Sequence, residues 1–112
     1  MSHYIVVVMT TSTKDEATKI VQRLLEERLI ACANIVGPVS SLFWWKDKID
    51  KATEFLVLMK SHRKLFNKLL KMVKENHSYE VPEILALPIL GGLPSYLSWL
   101  EANLQSESDD DG

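Results

Sequence analysis

The sequence lacks the disulfide bonds that stabilise many small folds without a large hydrophobic core. It contains one cysteine, Cys32, so an intramolecular disulfide is excluded. Four Gly and four Pro among 112 residues exclude a collagen-like or low-complexity chain. A hydrophobic fraction of 46% at this length is enough for a core without disulfide or metal staples. The composition therefore predicts one globular domain that requires no cofactor for folding.

Neither sign of charge is in large excess, with 13 basic residues, 15 acidic residues and a net charge of −2. This balance argues against a general binder of nucleic acid or of anionic membranes. The apolar run at residues 5–9 is too short for a signal-peptide core or a membrane span. A single thiol fits a reducing compartment. We therefore expect a cytoplasmic protein that neither binds nucleic acid nor inserts into a membrane.

Hydrophobic periodicity divides the chain into alternating strands and helices. Apolar runs predict four strands, at residues 4–9, 29–45, 53–60 and 83–89. Apolar side chains at helical spacing predict helices from near Thr13 to Arg28, from Ser61 to near Asn76, and a short one opening at Leu93-Pro94. The first strand is predicted to be buried on both faces. The second strand is predicted to bend at Gly37-Pro38, and residues 46–51 to form the turn of a long hairpin.

This order of elements predicts an α+β, ferredoxin-like βαββαβ fold with an extra C-terminal helix. Residues 1–104 form the predicted domain, and residues 105–112 an acidic, disordered tail. Two helices cover only one face of the antiparallel sheet. Phe43, Trp44 and Trp45 would be exposed on the hairpin unless another subunit covered them, so we expect an oligomer formed through the hairpin.

Several ordered motifs resemble the CutA divalent-cation-tolerance family: residues 28–34 (RLIACAN), 43–49 (FWWKDKI), 77–83 (HSYEVPE) and 96–100 (YLSWL). The resemblance covers residues 3–104. It implies a tight homotrimer, similar in architecture to PII signalling proteins, in which long hairpins join neighbouring sheets and clefts lie between subunits. It also implies a cytoplasmic role linked to tolerance of copper and other divalent metals.

Two positions depart from the family pattern. Ser78 stands where the family usually has a proline after the histidine, and this change could loosen the loop that holds His77. Thr10 stands where some metal-binding members carry a cysteine, so a soft-metal site here would have one fewer sulfur.

Cys32 and His77 are the metal ligands to which the resemblance points. Thiolate and imidazole suit copper or zinc. The two residues are far apart in sequence and no chelating spacing links them, so the fold or the subunits must bring them together. Two structural alternatives remain open: Cys32 is a buried small residue, and His77 caps the C-terminal end of the second helix.

By analogy with PII-like trimers, a second set of residues could line a ligand cleft between subunits. Aromatic rings would form its walls, a lysine would meet an anionic group, and carboxylates could do acid/base work or hold a hard cation. The alternative is interface packing with ion pairs. The cleft candidates are Trp45, Lys48, Lys60, Tyr79, Glu80 and Glu83.

The sequence carries no catalytic constellation. No nucleophile has an evident base, and Gly91-Gly92 lacks the Lys and Ser/Thr of a phosphate loop. The leading hypothesis is a non-enzymatic homotrimer that binds copper or another divalent cation at a subunit interface. The alternative is a PII-like signalling or scaffold trimer whose cleft binds a small anion or a partner protein.

Overall fold

Residues 3–106, which the computed structural model describes, form one four-stranded antiparallel sheet with three α-helices. The sheet order is β2-β3-β1-β4, so the predicted ferredoxin-like α+β fold is confirmed. The strands are β1 (Tyr4–Thr11), β2 (Cys32–Trp45), β3 (Lys48–His62) and β4 (Ile84–Pro88). The helices are α1 (Lys14–Glu26), α2 (Phe66–Asn76) and α3 (Pro94–Asn103), and a 3₁₀ turn at Arg63–Leu65 precedes α2.

The core lies between the sheet and the helices α1 and α2. Alternate strand residues, whose side chains point to the same face, are buried there. The fully buried members of this core include Val7, Met9, Leu24, Val57, Met59, Leu69 and Val73. The intervening residues point the other way, to a surface here named the open face. It carries Val6, Val8, Val36, Leu56, Leu58, Leu85 and Leu87, all half-buried or exposed.

The prediction that β1 is buried on both faces is therefore wrong for a single chain. Ile5, Val7 and Met9 are buried under the helices, but Val6 and Val8 remain partly accessible on the open face. A continuous apolar run predicts that its side chains are buried. It does not indicate whether a helix of the same chain or another subunit covers them.

Helix α1 begins as predicted and ends earlier than predicted. The Thr13 side chain accepts a hydrogen bond from the Glu16 N–H at 3.0 Å, which caps the first turn. At the other end Arg28 adopts a left-handed conformation with φ 55°. The Leu29 N–H then donates to the Leu24 carbonyl at 3.0 Å, which closes the helix. Leu29 is thus a buried loop residue, and the second strand starts at Cys32 rather than at residue 29.

The hairpin has a shorter turn than predicted. Lys46 and Asp47 have φ of 51° and 63°, as a two-residue hairpin turn with positive φ at both positions requires. Residues 48–51 are already paired with β2, although three of the four are charged, because the projecting hairpin exposes them to solvent. The predicted irregularity at Gly37-Pro38 is confirmed, since the register shifts between Val36 and Val39.

The prediction that Ser61 caps the second helix is wrong. Ser61 is a buried strand residue whose hydroxyl donates to the Leu29 carbonyl at 2.7 Å. The next residue takes the capping role, because Nδ1 of His62 accepts the Lys64 N–H at 3.0 Å. Of the predicted acidic tail, Gln105 is hydrogen bonded to the Arg28 and Glu27 carbonyls, and residues 107–112 lie outside the described part of the chain.

Candidate functional site

His77 anchors the loop that follows α2. Its Nε2 lies 2.8 Å from the Thr10 carbonyl, and its Nδ1 accepts the Tyr79 N–H at 3.0 Å. An accepting Nδ1 assigns the proton to Nε2, which then donates to Thr10. The imidazole is fully buried. Both ring nitrogens are therefore occupied by the protein, and His77 holds the loop against the end of β1.

Glu16 of α1 ties down the same loop. The Ser78 N–H donates to Glu16 Oε2 at 2.7 Å, and the Ser12 hydroxyl donates to Oε1 at 3.3 Å. Burial on its own raises the pKa of Glu16, but the hydrogen bonds from Ser78 and Ser12 outweigh it and leave that pKa lowered. A proline at position 78 would have no N–H to donate. The serine attaches this loop to α1, contrary to the loosening expected from the sequence.

A cleft of about 730 Å³, here named the acidic cleft, opens between the hairpin and the loop of residues 77–83. Aromatic and acidic side chains dominate its walls, and no lysine, arginine or histidine within the described part of the chain lines it. The aromatic members are Phe43, Trp45 and Tyr79, and the acidic members are Asp50, Glu54, Glu80 and Glu83.

One hydrogen bond joins the two walls of the acidic cleft. The Tyr79 hydroxyl donates to Oε2 of Glu54 at 2.7 Å, and Glu54 is only 8% exposed. Burial, this hydrogen bond and the nearby carboxylate charges raise the pKa of Tyr79 to about 12. Tyr79 is therefore a neutral donor at physiological pH, and it positions the loop over the sheet.

Four of the predicted cleft residues come together and two do not. Trp45, Tyr79, Glu80 and Glu83 all line the acidic cleft. Lys48 pairs with Trp45 at the hairpin end but does not line the cleft, and Lys60 lies further down β3, opposite Cys32. The predicted lysine for an anion is thus absent from the cleft walls, and the charge of those walls suits a cation.

Sequence reasoning missed Glu54 and Asp50. Both lie on the face of β3 that lines the acidic cleft, two register positions either side of Ala52. The two-residue period of strand side chains could have identified them. It places Asp50 and Glu54 on the same strand face as Leu56 and Leu58, so carboxylates follow the apolar residues on that face.

Cys32 lies at the opposite end of the open face. Its half-buried thiol is 3.4 Å from the hydroxyl of Tyr96 on α3, and this hydrogen bond, together with burial and the charge of Cys32, raises the pKa of Tyr96. Nearby, Lys60 donates to the side-chain oxygen of Asn34. Helix α3 also holds this end through Tyr4, whose hydroxyl donates to Glu101 at 2.6 Å. Cys32 is thus covered in part by α3.

A single chain does not bring Cys32 and His77 together. Cys32 lies opposite Lys60 on β3, whereas Thr10, which His77 contacts, lies opposite Leu56. Four residues along a strand span about 13 Å, and β1 and β2 flank β3 on opposite sides. Within residues 3–106 no three His, Cys, Asp or Glu side chains are grouped so that they could hold a metal ion. The same residues include no helix with the length and apolar character to cross a membrane.

Comparison with known proteins shows which family this chain resembles. The family model of the CutA1 divalent ion tolerance protein matches residues 5–103. The chloroplastic Protein CutA 1 of Oryza sativa subsp. japonica is 40% identical over 97 residues, which are 87% of this chain and 55% of that protein. The divalent-cation tolerance protein CutA of Archaeoglobus fulgidus is 41% identical over 97 residues, 87% of this chain and 94% of that protein.

A solved structure agrees. The divalent cation tolerance protein (Cut A1) from Thermus thermophilus superposes with a TM-score of 0.89 at 41% identity, covering 91% of this chain and 99% of that one. The chain spans just over half of the rice protein and nearly all of the archaeal one. Because the rice relative is named as chloroplastic, the cytoplasmic location stays a prediction. The match of sequence over residues 5–103 and of fold over most of the chain shows that the protein belongs to the CutA1 divalent ion tolerance protein family.

Proposed function

We propose that this protein acts in divalent-cation tolerance, as a homotrimer that binds copper or another divalent cation between subunits. The observation that carries the proposal is the family match over residues 5–103, since the relatives are named for divalent-cation tolerance. Tolerance by binding needs no chemical step, so the proposal assigns the protein no catalytic activity. The cytoplasm, where a free thiol persists, is the proposed location.

Exposed apolar surface supports the trimer. Trp44 is 72% exposed on the hairpin, next to Trp45 and Ile49, and Leu85 and Leu87 are more than half exposed on β4. Large apolar side chains grouped on one surface mark interaction sites in soluble proteins. Copies of this chain that cover each other's hairpins and open faces would bury both groups, as the family resemblance implies.

Cys32 and His77 are the proposed ligands, contributed by different subunits because one chain keeps them apart. The half-buried thiol of Cys32 can reach a cation by releasing only the Tyr96 hydroxyl. His77 would have to release either Thr10 or Tyr79 before a ring nitrogen became available. Binding at His77 would therefore disturb the loop of residues 77–83, while binding at Cys32 would not.

Native mass spectrometry of the full chain tests subunit count and metal count together. The protein is measured alone and after one equivalent per chain of Cu²⁺, with Zn²⁺ in parallel because zinc has no redox chemistry that could oxidise the thiol. We expect a trimer with a defined metal count that is lost in Cys32→Ser and His77→Ala. His3→Ala, which removes an exposed imidazole, is the control and should keep the metal.

Two results would contradict the proposal. An unchanged metal count in both Cys32→Ser and His77→Ala would show that the cation binds elsewhere. A monomer at all concentrations would show that no subunit interface exists to hold the site. Because His77→Ala also removes two hydrogen bonds, each variant is first checked for folding by circular dichroism, and Cys32→Ser carries the decision if His77→Ala fails to fold.

A further inference from the structure

One wall of the acidic cleft carries a largely buried carboxylate, Glu54, of which one oxygen has no hydrogen-bond partner among the described residues. Glu54 is more than nine-tenths buried, and its Oε2 accepts the Tyr79 hydroxyl. Its Oε1 has no hydrogen-bond partner among the described residues, yet every fully enclosed polar side-chain atom of residues 3–106 has one. Oε1 must therefore be accessible, and the cleft that Glu54 lines is where it is reached.

Among the described residues, none in the cleft walls neutralises this carboxylate. Asp50, Glu80 and Glu83 share the cleft with Glu54, and no basic side chain of residues 3–106 lines it. Although Oε1 is accessible, Glu54 as a whole is more than nine-tenths buried, and a carboxylate that is mostly removed from water is costly unless a donor or a cation compensates. The neutral hydroxyl of Tyr79 is hydrogen bonded to only one of the two carboxylate oxygens of Glu54. The cleft therefore favours the binding of a cation from outside the chain.

The spacing of the carboxylates does not suit a single metal ion. Metal ions draw oxygen ligands to within about 2.0–2.6 Å, so several carboxylates must converge on one point. No three acidic, histidine or cysteine side chains within residues 3–106 do so. The cleft, at about 730 Å³, is instead within the size range of small-molecule sites.

Aromatic rings line the same cleft. Phe43 and Trp45 come from the hairpin, and Tyr79 comes from the loop opposite. The faces of such rings attract organic ammonium groups, and their apolar area packs against the methylene groups between two amines. Dispersed carboxylates together with aromatic walls match an extended cation with several charges.

We propose that the acidic cleft binds an organic ammonium cation of the diamine or polyamine class, with carboxylates meeting the amino groups and Trp45 packing on the carbon chain. The same chemistry could come from a free amine or from a lysine side chain of a second copy. The proposal uses neither Cys32 nor His77, so it stands or falls separately from metal binding.

Spermidine is the probe, and isothermal titration with the full chain at low ionic strength is the measurement. We expect saturable binding at one molecule per cleft, accompanied by a change in tryptophan fluorescence. Glu80→Gln/Glu83→Gln should weaken the affinity about tenfold or more, and Trp45→Leu several-fold. Glu26→Gln/Glu27→Gln, which removes the same charge from two exposed residues at the C-terminal end of α1, should leave the affinity unchanged.

The source of the amine is distinguished by Lys48→Ala/Lys51→Ala, which removes two exposed lysines from the hairpin. If wild type ignores spermidine and this variant binds it, a lysine of a second copy occupies the cleft, which supports the proposed chemistry. Absence of binding in both overturns the proposal. Equal weakening in the Glu80/Glu83 and Glu26/Glu27 variants, or displacement by Mg²⁺ beyond that by NaCl at the same ionic strength, overturns it as well.

Discussion

The two faces of the sheet are built from the same strands but are completed in different ways. On the helix side, Val57 and Met59 of β3 are fully buried beneath α1 and α2. On the open face, their neighbours Leu56 and Leu58 are only half-buried, although they are equally apolar. One face is therefore finished within a chain, and the other carries apolar side chains that the chain alone leaves unpacked.

The open face is closed at its two ends but not in its middle. The loop of residues 77–83 covers one end through the hydrogen bond of Tyr79 to Glu54, and α3 covers the other through Tyr96 and Cys32. Between them, Leu85 and Leu87 are more than half exposed. The uncovered middle is apolar and the closed ends are polar, which is the arrangement of an interface core with its rim.

The largest effect is expected from breaking the helix side of this comparison. Met59→Ala removes a fully buried side chain and should lower the free energy of unfolding by about 2–5 kcal/mol. Leu58→Ala, the adjacent residue on the open face, should cost about 1 kcal/mol within the chain, because its side chain is only half-buried. Urea unfolding at low protein concentration measures both.

The matched variant also tests what covers the open face. If other subunits pack there, Leu58→Ala should weaken self-association in sedimentation velocity, and Met59→Ala should alter it less. Equal losses of stability in the two variants, with unchanged sedimentation, would refute the distinction between the faces. The pair differs by one position along one strand, so strand propensity cannot account for a large difference.

Much of this architecture follows from the order of the elements and the period of their side chains. The apolar run at residues 53–60 predicts a strand, and the order of elements predicts the fold of the sheet. The hairpin turn was predicted too long, at residues 46–51, because the first residues after the real turn, Lys48 to Lys51, are mostly charged although they already pair with β2.

The candidate site was only partly predictable, for a different reason. Its key contacts join residues distant in sequence: Tyr79 meets Glu54, and His77 meets the carbonyl of Thr10. The family resemblance and the analogy with PII-like trimers identified His77 and Tyr79 as candidates. They could not show that both ring nitrogens of His77 are hydrogen bonded, because every residue has a backbone carbonyl and a sequence pattern does not indicate which one a side chain contacts.

A second prediction concerns the closed end at His77. His77→Ala leaves the Thr10 carbonyl and the Tyr79 N–H without their partner, which should cost about 1–3 kcal/mol of stability. The loss should be present with a chelator, because it comes from the two hydrogen bonds and not from a metal. Differential scanning calorimetry measures it, and His3→Ala should show no comparable change.

The alternative outcome for His77→Ala would be equally clear. A variant with unchanged melting temperature would mean that the ring is not an anchor, and that its hydrogen bonds are readily exchanged for water. In that case the loop would be free to present His77 to a cation, and the polar closure of this end of the open face would rest on Tyr79 and Glu16 alone.

The smallest effect is expected at the other end of the open face, where His62 caps the 3₁₀ turn before α2. Burial, followed by the charges of Lys64 and His3, lowers the pKa of His62 below its usual value, although Glu101 acts in the opposite direction. Protonation would remove the Nδ1 acceptor that Lys64 uses and place a positive charge at the start of a helix. A lowered pKa means that the unfolded chain binds the proton more tightly than the folded one.

The contribution of His62 to stability is therefore complete above pH about 6.5, the value for an unperturbed histidine, and is lost as the pH falls through the lower folded value. Since the side chain is partly exposed, the loss should stay below the ~1 kcal/mol typical of a removed cap. His62→Asn keeps a capping oxygen but cannot titrate, so its melting temperature should fall less than that of wild type between pH 7 and 5. Parallel curves for the two proteins would show that the cap survives protonation, and that α3 and Tyr4 hold this end without it.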